Sequence, residues 1–394
     1  MFGEKCLFLQ ILFDLRSEVW PHQHSFGGMK VLFLCDGLAP FVIGGMQQHS
    51  TMLVKHLAPL VDHITLMHCG HFNEAPPSNE EVFEVLGNPK NVCVKGVVFR
   101  DKGILPGHYL RASKRLSRQY LENVENLSSY SCIYAQGFTG NAFLHRHNRV
   151  LVNLHGLNMF QTGFSWRDRF SKALMRPLSR KQIRNAWKSV SLGGDLTKLL
   201  LGQGATDKSI AVIPNGIAQT MILDPEQRRQ KRAAQESRKI RFVMVGRNDF
   251  AKGLHVLQEA LSQLTVPIEL HLIGNWPEWD AGRHHVVYHG LVHDRNIFLS
   301  ILDTCDVLLL PSLSEGMPTV ILEALARDLD VIASEVGAVS EILGQESLVP
   351  PGDSKALADR IGLRNFDKTR IQTNLEHYCW DQVARKTVKV FLNS

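Results

Sequence analysis

From residue 29 onward, short apolar runs alternate with stretches whose apolar residues recur every three to four positions. The first run, KVLFLCD from Lys30 to Asp36, is apolar without alternation and is followed by glycine and proline. That is the pattern of a strand buried on both faces of a parallel sheet. Similar runs occupy 63–68, 92–98, 131–135, 149–154, 188–192 and 210–213. A basic, helix-prone stretch from Asp224 to Arg241 interrupts the series. A second series follows, RFVMVG, IELHLIG, HVVYHG, DVLLLPS and DVIAS, and the intervening GLHVLQEALSQL puts Leu254, Leu257, Leu261 and Leu264 on one helical face. Strands alternating with helices predict an α/β fold, and two such series predict two nucleotide-fold domains in tandem with a cleft between them. The expected boundaries are an N-terminal extension at 1–28, a first domain at 29–215, a connection at 216–238, a second domain at 239–375 and a final helix at 376–394.

Composition narrows the class. The chain has 394 residues, 44% hydrophobic and 21% charged, which exceeds the ~100 to 200 residues of one domain and supplies a sizeable core. No stretch reaches the ~18 uninterrupted apolar residues of a spanning helix. Seven single cysteines with no CxxC pair argue against a disulfide framework or a thiolate zinc site and suit a reducing cytoplasm. A formal charge of +6 is modest and gives no reason to expect nucleic acid. In the extension, CLFLQILF has only Lys5 before it and no small-residue cleavage site after it, so a signal peptide is not expected. A flexible tail is the plain reading and a short membrane-touching helix the sharper one.

Three motifs carry candidate chemistry. Gly44 and Gly45 fall where a loop enters a helix, so the backbone can approach a ligand and the helix start offers unpaired N–H groups to an anion. In VGRNDFAKG, Arg247 and Lys252 follow a buried strand, where cations face the crevice and suit a diphosphate; solvated loop charges are the plain alternative. In PSLSEGMPTVILEALA, Glu315 lies in a loop and Glu323 in the helix expected to have Pro318 at its first position, so both carboxylates can face one crevice and accept hydrogen bonds from sugar hydroxyls.

With PFVIGGMQQHS, VNLHG, AVIPNGI, VGRNDFAKG, PSLSEGMPTVILEALA, LVPPGDSKALA and YCWDQVARK in that order, the chain resembles the retaining glycosyltransferases of family 4 over about residues 29–394. The resemblance implies a GT-B fold, with two Rossmann-like domains whose parallel sheets face an interdomain cleft and a C-terminal helix that returns to the first domain. It also implies transfer of a sugar from a nucleotide diphosphate-sugar to an acceptor hydroxyl with retention, in cell-surface polysaccharide or glycolipid synthesis. No metal and no cofactor are implied beyond the donor as substrate, and the acceptor is lipid-linked or a saccharide. By the same resemblance, Arg247 and Lys252 neutralise the leaving diphosphate and Glu315 holds donor-sugar hydroxyls. His155 lies near the reaction centre, Gly44 and Gly45 approach the diphosphate, and Gly316, Met317, Pro318 and Thr319 supply backbone around sugar and phosphate. Glu323 takes the ribose. Rivals are a GT-B sugar-nucleotide epimerase and a non-catalytic GT-B binding subunit. Acceptor recognition is expected from first-domain loops such as 70–80 and 100–110.

Three further features need weighing. Asp328 and Asp330 spell DxD, but in a turn before DVIAS, where turn chemistry is the better reading than metal binding. His285, His289 and His293 have helical ligand spacing inside a segment that reads as strand, which argues against zinc. From Trp166 to Lys188, eight cations (167, 169, 172, 176, 180, 181, 184, 188) interleave with aromatic and aliphatic residues. A solvated helix face is the default, and peripheral contact with an anionic membrane, at its inner face, is the alternative.

Overall fold

The computed structural model describes residues 28–100, 103, 107–236, 239–363 and 374–393. The apolar patch of the N-terminal extension, read above as tail or membrane-touching helix, lies outside the described residues. The first sheet has seven strands: β1 Lys30–Leu34, β2 His63–Cys69, β3 Val92–Val97, β4 Cys132–Gln136, β5 Val150–Asn153, β6 Lys188–Ser191 and β7 Ile210–Val212. The second has six: β8 Arg241–Val245, β9 Glu269–Ile273, β10 His285–Gly290, β11 Val307–Leu310, β12 Asp330–Ser334 and β13 Leu348–Val349. All pair in parallel, in the orders 3-2-1-4-5-6-7 and 10-9-8-11-12-13. Every strand expected from an apolar run is present, because central parallel strands are covered on both faces and must be apolar throughout. The two-residue β13 is too short to leave such a run.

Strand order reverses between β1 and β4 in the first sheet and between β8 and β11 in the second. At such a switch point the connections leave in opposite directions, opening a crevice at the carboxyl ends of the strands. The motifs with candidate chemistry follow β1, β8 and β11, so both crevices matter to the site.

The chain passes between the domains twice, and the two passages are hydrogen-bonded to each other. Ile217 N donates to Tyr378 O at 2.8 Å and Trp380 N to Ile217 O at 3.1 Å. A β-carbon on Gly216 would stand 2.6 Å from the Trp380 ring, so only glycine lets the passages touch. The last helix, Trp380–Leu392, then buries Trp380, Val383, Val388 and Phe391 in the first-domain core with Val31, Phe33, Leu53 and Leu57. It returns to the first domain as the resemblance implied.

The basic stretch before the second sheet forms the helix Pro225–Glu236, and its cations serve the second domain. Arg232 makes two 2.7 Å bonds to the carboxylate of Asp328, which has a left-handed backbone (φ 60°), and Lys231 Nζ donates to Arg327 O at 2.6 Å. Turn geometry and an arginine fork thus occupy the aspartate of the DxD-like pair. In the histidine cluster, His285 to His289 is strand, as expected, and His289 Nε2 lies 2.9 Å from His271 Nδ1. Among the described residues no trio of side chains is arranged to hold a metal ion.

The block from Trp166 forms the helix Trp166–Asn185, capped by Ser165, whose hydroxyl accepts from Asp168 N at 3.1 Å. Its cations do not all face outward. Lys172 is buried against Thr162 O at 2.6 Å, and Arg176, Arg180 and Arg184 bond to Met159 O, Gln203 Oε1 and Gln203 O. Arg167, Arg169, Arg180, Lys181 and Arg184 are exposed, and with them an apolar stripe, Trp166, Phe170 and Leu174, exposed by 74%, 52% and 37%. Among the described residues no helix is long and apolar enough to cross a membrane.

Candidate active site

On the second domain, a short helical turn Phe250–Lys252 follows β8, capped by Asp249, whose Oδ1 accepts from Ala251 N at 2.9 Å. Gly253 ends the turn with φ 73°, and a β-carbon there would lie 1.9 Å from Pro311 O. The turn therefore lies directly on the exit of β11. That contact brings Lys252 Nζ to 2.7 Å from Glu315 Oε1, which also accepts from Ser312 Oγ at 2.7 Å. Both charges are mostly shielded, 23% and 10% exposed, so either alone would be costly while together they are nearly neutral. Arg247, two residues beyond β8 in the same loop as Lys252, is exposed, and among the described residues no acid pairs with it. The two cations expected to act alike are thus in different states, one balanced by a carboxylate and one available.

Glu323 lies on the helix Thr319–Ala326, where Oε1 accepts from Arg295 Nη2 at 2.9 Å. Arg295 opens the helix Arg295–Thr304, capped by Asp294. The two glutamates therefore each have their own cation. Pro318 is the residue before the helix (φ −71°, ψ 113°) and not its first position, because its extended ψ is incompatible with a helical turn. Thr319 is the first helical residue, and Met317 is buried beneath the loop.

On the first domain, Gly44 precedes and Gly45 opens the helix Gly45–Leu57, whose first N–H groups have no side-chain cap. A β-carbon on Gly44 would be 2.2 Å from Gln47 Oε1, whereas Gly45 faces open space. His155 follows β5 with a left-handed backbone (φ 55°), its N–H donating to Asn153 Oδ1 at 2.8 Å. Its Nε2 is shielded from solvent and has no partner among the described residues. Burial, helped by nearby His49, keeps the ring's pKa well below the usual histidine range. A neutral imidazole with one unused nitrogen is suited to a ligand hydroxyl.

The two domains meet at backbone distance. A β-carbon on Gly316 would stand 2.8 Å from Gly156 Cα, one on Gly337 (φ 61°) 2.4 Å from Gly316 O, and one on Gly194 (φ 55°) 2.6 Å from Gly337 O. Across this seam Asp195 N donates to Gly337 O at 3.0 Å and Gln161 Nε2 to Glu315 O at 2.8 Å.

A second bridge runs through buried side chains. Asn153 Nδ2 donates to Tyr134 Oη at 2.9 Å, so the tyrosine hydroxyl is free to donate to His49 Nε2, 3.1 Å away. His49 Nδ1–H then faces Asn215 Oδ1 at 3.2 Å, and Asn215 Nδ2 donates to Met317 O at 2.8 Å. This chain of donors requires neutral His49. Burial agrees, pushing its pKa from 6.5 to about 4. His49, Asn215, Gln161, Gly156 and Arg295 were not singled out from sequence; QQHS, PNG and HGLN carry three of them, but only the fold shows what any of the five touches.

Two parallel sheets with paired charges at one carboxyl edge and glycine loops meeting across a seam define a GT-B architecture. The model for "Glycosyltransferase Family 4" matches residues 43–219, and that for "Glycosyl transferases group 1" matches 239–363. The chain belongs to this glycosyltransferase family. It is 37% identical over 123 residues to the putative teichuronic acid biosynthesis glycosyltransferase TuaC of Bacillus subtilis, covering 30% of this chain and 31% of that one. It is 24% identical over 216 residues to an MMP alpha-(1->4)-mannosyltransferase of Mycolicibacterium hassiacum, covering 49% and 50%. The matched segments span at most about half of these curated relatives. Among solved structures, Anabaena HepE with UDP and glucose superposes with a TM-score of 0.62 at 17% identity, covering 93% of this chain and all of that one. Sucrose-phosphate synthase of Thermosynechococcus elongatus superposes at 0.70 and 17% identity, covering 92% and 98%.

The neutral His49 link has a measurable consequence. Because its folded pKa lies below its unfolded one, the unfolded chain takes up more protons between pH 6.5 and about 4, and stability falls as pH drops through that window. His68, pushed by burial to about 4, and His155 act in the same direction. The His49→Gln protein should show a smaller loss of Tm than wild type between pH 7 and 5, read by scanning calorimetry. Parallel Tm profiles would mean that His49 is not held neutral.

Proposed function

We propose that the protein is a retaining, metal-independent glycosyltransferase that moves a sugar from a nucleotide diphosphate-sugar to an acceptor hydroxyl. The reading rests on one observation above others: Lys252 and Glu315, 2.7 Å apart at the carboxyl edge of the second sheet, with exposed Arg247 in the same loop as Lys252 and the seam opposite. Breaking the anomeric bond transfers negative charge to the diphosphate. Arg247 and the remaining N–H bonds of Lys252 stabilise that charge more as it grows, which lowers the barrier. Glu315 keeps Lys252 oriented through one oxygen and offers the other to donor-sugar hydroxyls. Glu323, fixed by Arg295, receives the ribose hydroxyls, and His155 Nε2 meets the sugar at the seam.

Among the described residues Glu315 is the one carboxylate assigned to the donor sugar, with no second one paired to it, so attack from the leaving-group face, with a phosphate oxygen taking the acceptor proton, accounts best for retention. Support for a nucleotide-sugar donor comes from the Anabaena neighbour, whose structures hold UDP and UDP-glucose. Support for an acceptor in cell-surface polysaccharide or glycolipid synthesis comes from the name of the teichuronic acid biosynthesis relative.

Work at such an acceptor places the protein in the cytoplasm at the inner face of the membrane. Exposed Trp166, Phe170 and Leu174 on one helical stripe, with Arg167 stacked 5.3 Å over Trp166, favour peripheral contact with anionic lipid.

Arg247→Ala and Lys252→Ala should each lower kcat by ~10²- to 10³-fold, as loss of a charge-stabilising donor does. Only Lys252→Ala should also lower Tm, because it strands Glu315 without its partner. Excess EDTA should leave the wild-type initial rate unchanged; activity restored by Mg²⁺ would refute metal independence, and near-normal turnover of either mutant would remove that residue from the mechanism. For the membrane reading, Trp166→Ser/Phe170→Ser should abolish co-sedimentation with anionic vesicles, and binding of wild type should weaken with salt. Equal sedimentation of both proteins would leave the stripe as a solvated face.

A further inference from the structure

Asp36 is the carboxylate at the switch point of the first sheet, two residues beyond the end of β1 and beside β4. Among the described residues no cation pairs with it. Its Oδ1 accepts from Gln47 Nε2 at 3.3 Å, and its Oδ2 lies 3.5 Å from Tyr109 Oη, both long contacts that leave acceptor capacity unused. Burial lifts its pKa to about 6. The Asp36 side chain is only partly covered, and Gly137, which follows β4 with φ 58°, adds no side chain beside it, the nearest atoms there being Met46 Cε and Asp36 Oδ2. Aromatic rings border the carboxylate on the Tyr109 side. Tyr109 stands edge-on to Phe72 at 6.4 Å and to Phe138 at 6.2 Å, and Phe72 is 43% exposed. Gln47 joins this corner to the donor side, since its Oε1 lies directly under Gly44.

We propose that Asp36, Tyr109 and Phe72 form an acceptor subsite for a neutral sugar ring, with the carboxylate accepting hydrogen bonds from its hydroxyls and the aromatic rings covering its apolar face. An unneutralised carboxylate repels phosphate and sulfate, so the receiving unit of the acceptor is an uncharged saccharide, whether free or carried on a lipid. The assignment rests on the transferase reading above, because only a transferase needs a second sugar opposite its donor site.

The test is saturation-transfer NMR with methyl and octyl glycosides of glucose, galactose and mannose, with myo-inositol 1-phosphate as the anionic comparison. Spectra are taken with and without UDP, GDP or TDP, whose own binding is measured by calorimetry. Wild type should bind at least one glycoside, the octyl arm separating a lipid-carried from a free acceptor. Asp36→Ala should weaken that binding by ~10- to 100-fold, the worth of a charge-assisted hydrogen bond, and Phe72→Ala by ~2- to 10-fold. Nucleotide binding retained by both variants shows that they are folded; if Asp36→Ala melts early, the isosteric Asp36→Asn takes its place. Binding of no glycoside, preference for the inositol phosphate, or unchanged glycoside affinity in the Asp36 variant overturns the subsite. Failure of every nucleotide to bind wild type instead counts against the transferase reading, while glycoside binding is still scored separately.

Discussion

The site depends on a contact made without side chains. Where Gly156 of the first domain meets Gly316 of the second, and Gly337 meets Gly194, the two halves approach so closely that a single methyl group would push them apart. Side chains at these positions would clash with backbone across the seam and force the two domains to shift. Glycine instead lets the carbonyls of residues 315, 316 and 337 become hydrogen-bond acceptors, two of them for groups of the first domain. The loop that carries Glu315 is thereby registered against the loop that carries His155, although neither loop has regular secondary structure to fix it. Buried polar bridges add direction to this contact. The chain from Asn153 through Tyr134, His49 and Asn215 to the carbonyl of Met317 passes from sheet to sheet with each donor matched to one acceptor.

What could be read from the chain divides along physical lines. Buried parallel strands betray themselves because both faces demand apolar residues, and the runs at 63–68 or 330–334 needed no tertiary knowledge. Arg247, Lys252 and Glu315 were also legible, because charged residues directly after such strands have few places to point except the crevice. Partnership was not legible. Nothing local says that Lys252 is balanced by Glu315 or that Glu323 is held by Arg295, since each pair joins separate loops and helices. His49 reads as one polar residue of a helix start, and its significance lies in a tyrosine and an asparagine far away in sequence. Local backbone preference misled at Pro318, which suits a first helical turn in general yet stands just outside it here. At the helix Trp166–Asn185 charge density matched an exposed basic face, but not the inward turn of Lys172 and Arg176 to carbonyls of their own domain.

Charge is balanced before any ligand arrives at the second sheet. The Lys252–Glu315 pair carries no net charge, so its desolvation is already met within the fold, and the attraction exerted on an incoming anion comes from Arg247 and uncapped helix starts. The first sheet has the opposite character at the matching position, where among the described residues no cation pairs with Asp36. Two crevices of the same topology thus present opposite electrostatic faces to the seam, which orders what can enter each of them.

The paired passages between the domains bear on how such a protein can be taken apart and recombined. Ile217 and Trp380 run side by side, and Gly216 fits the Trp380 ring as one surface fits its cast. The last helix belongs to the first-domain core although it is the final segment of the chain. A hybrid that exchanges one half at a single crossover near residue 217 would therefore mate a foreign terminal helix with a core shaped for Trp380 and Phe391. The exchangeable module in this architecture is discontinuous: the second sheet with its helices, cut at both passages, while the terminal helix stays with the domain into which it packs.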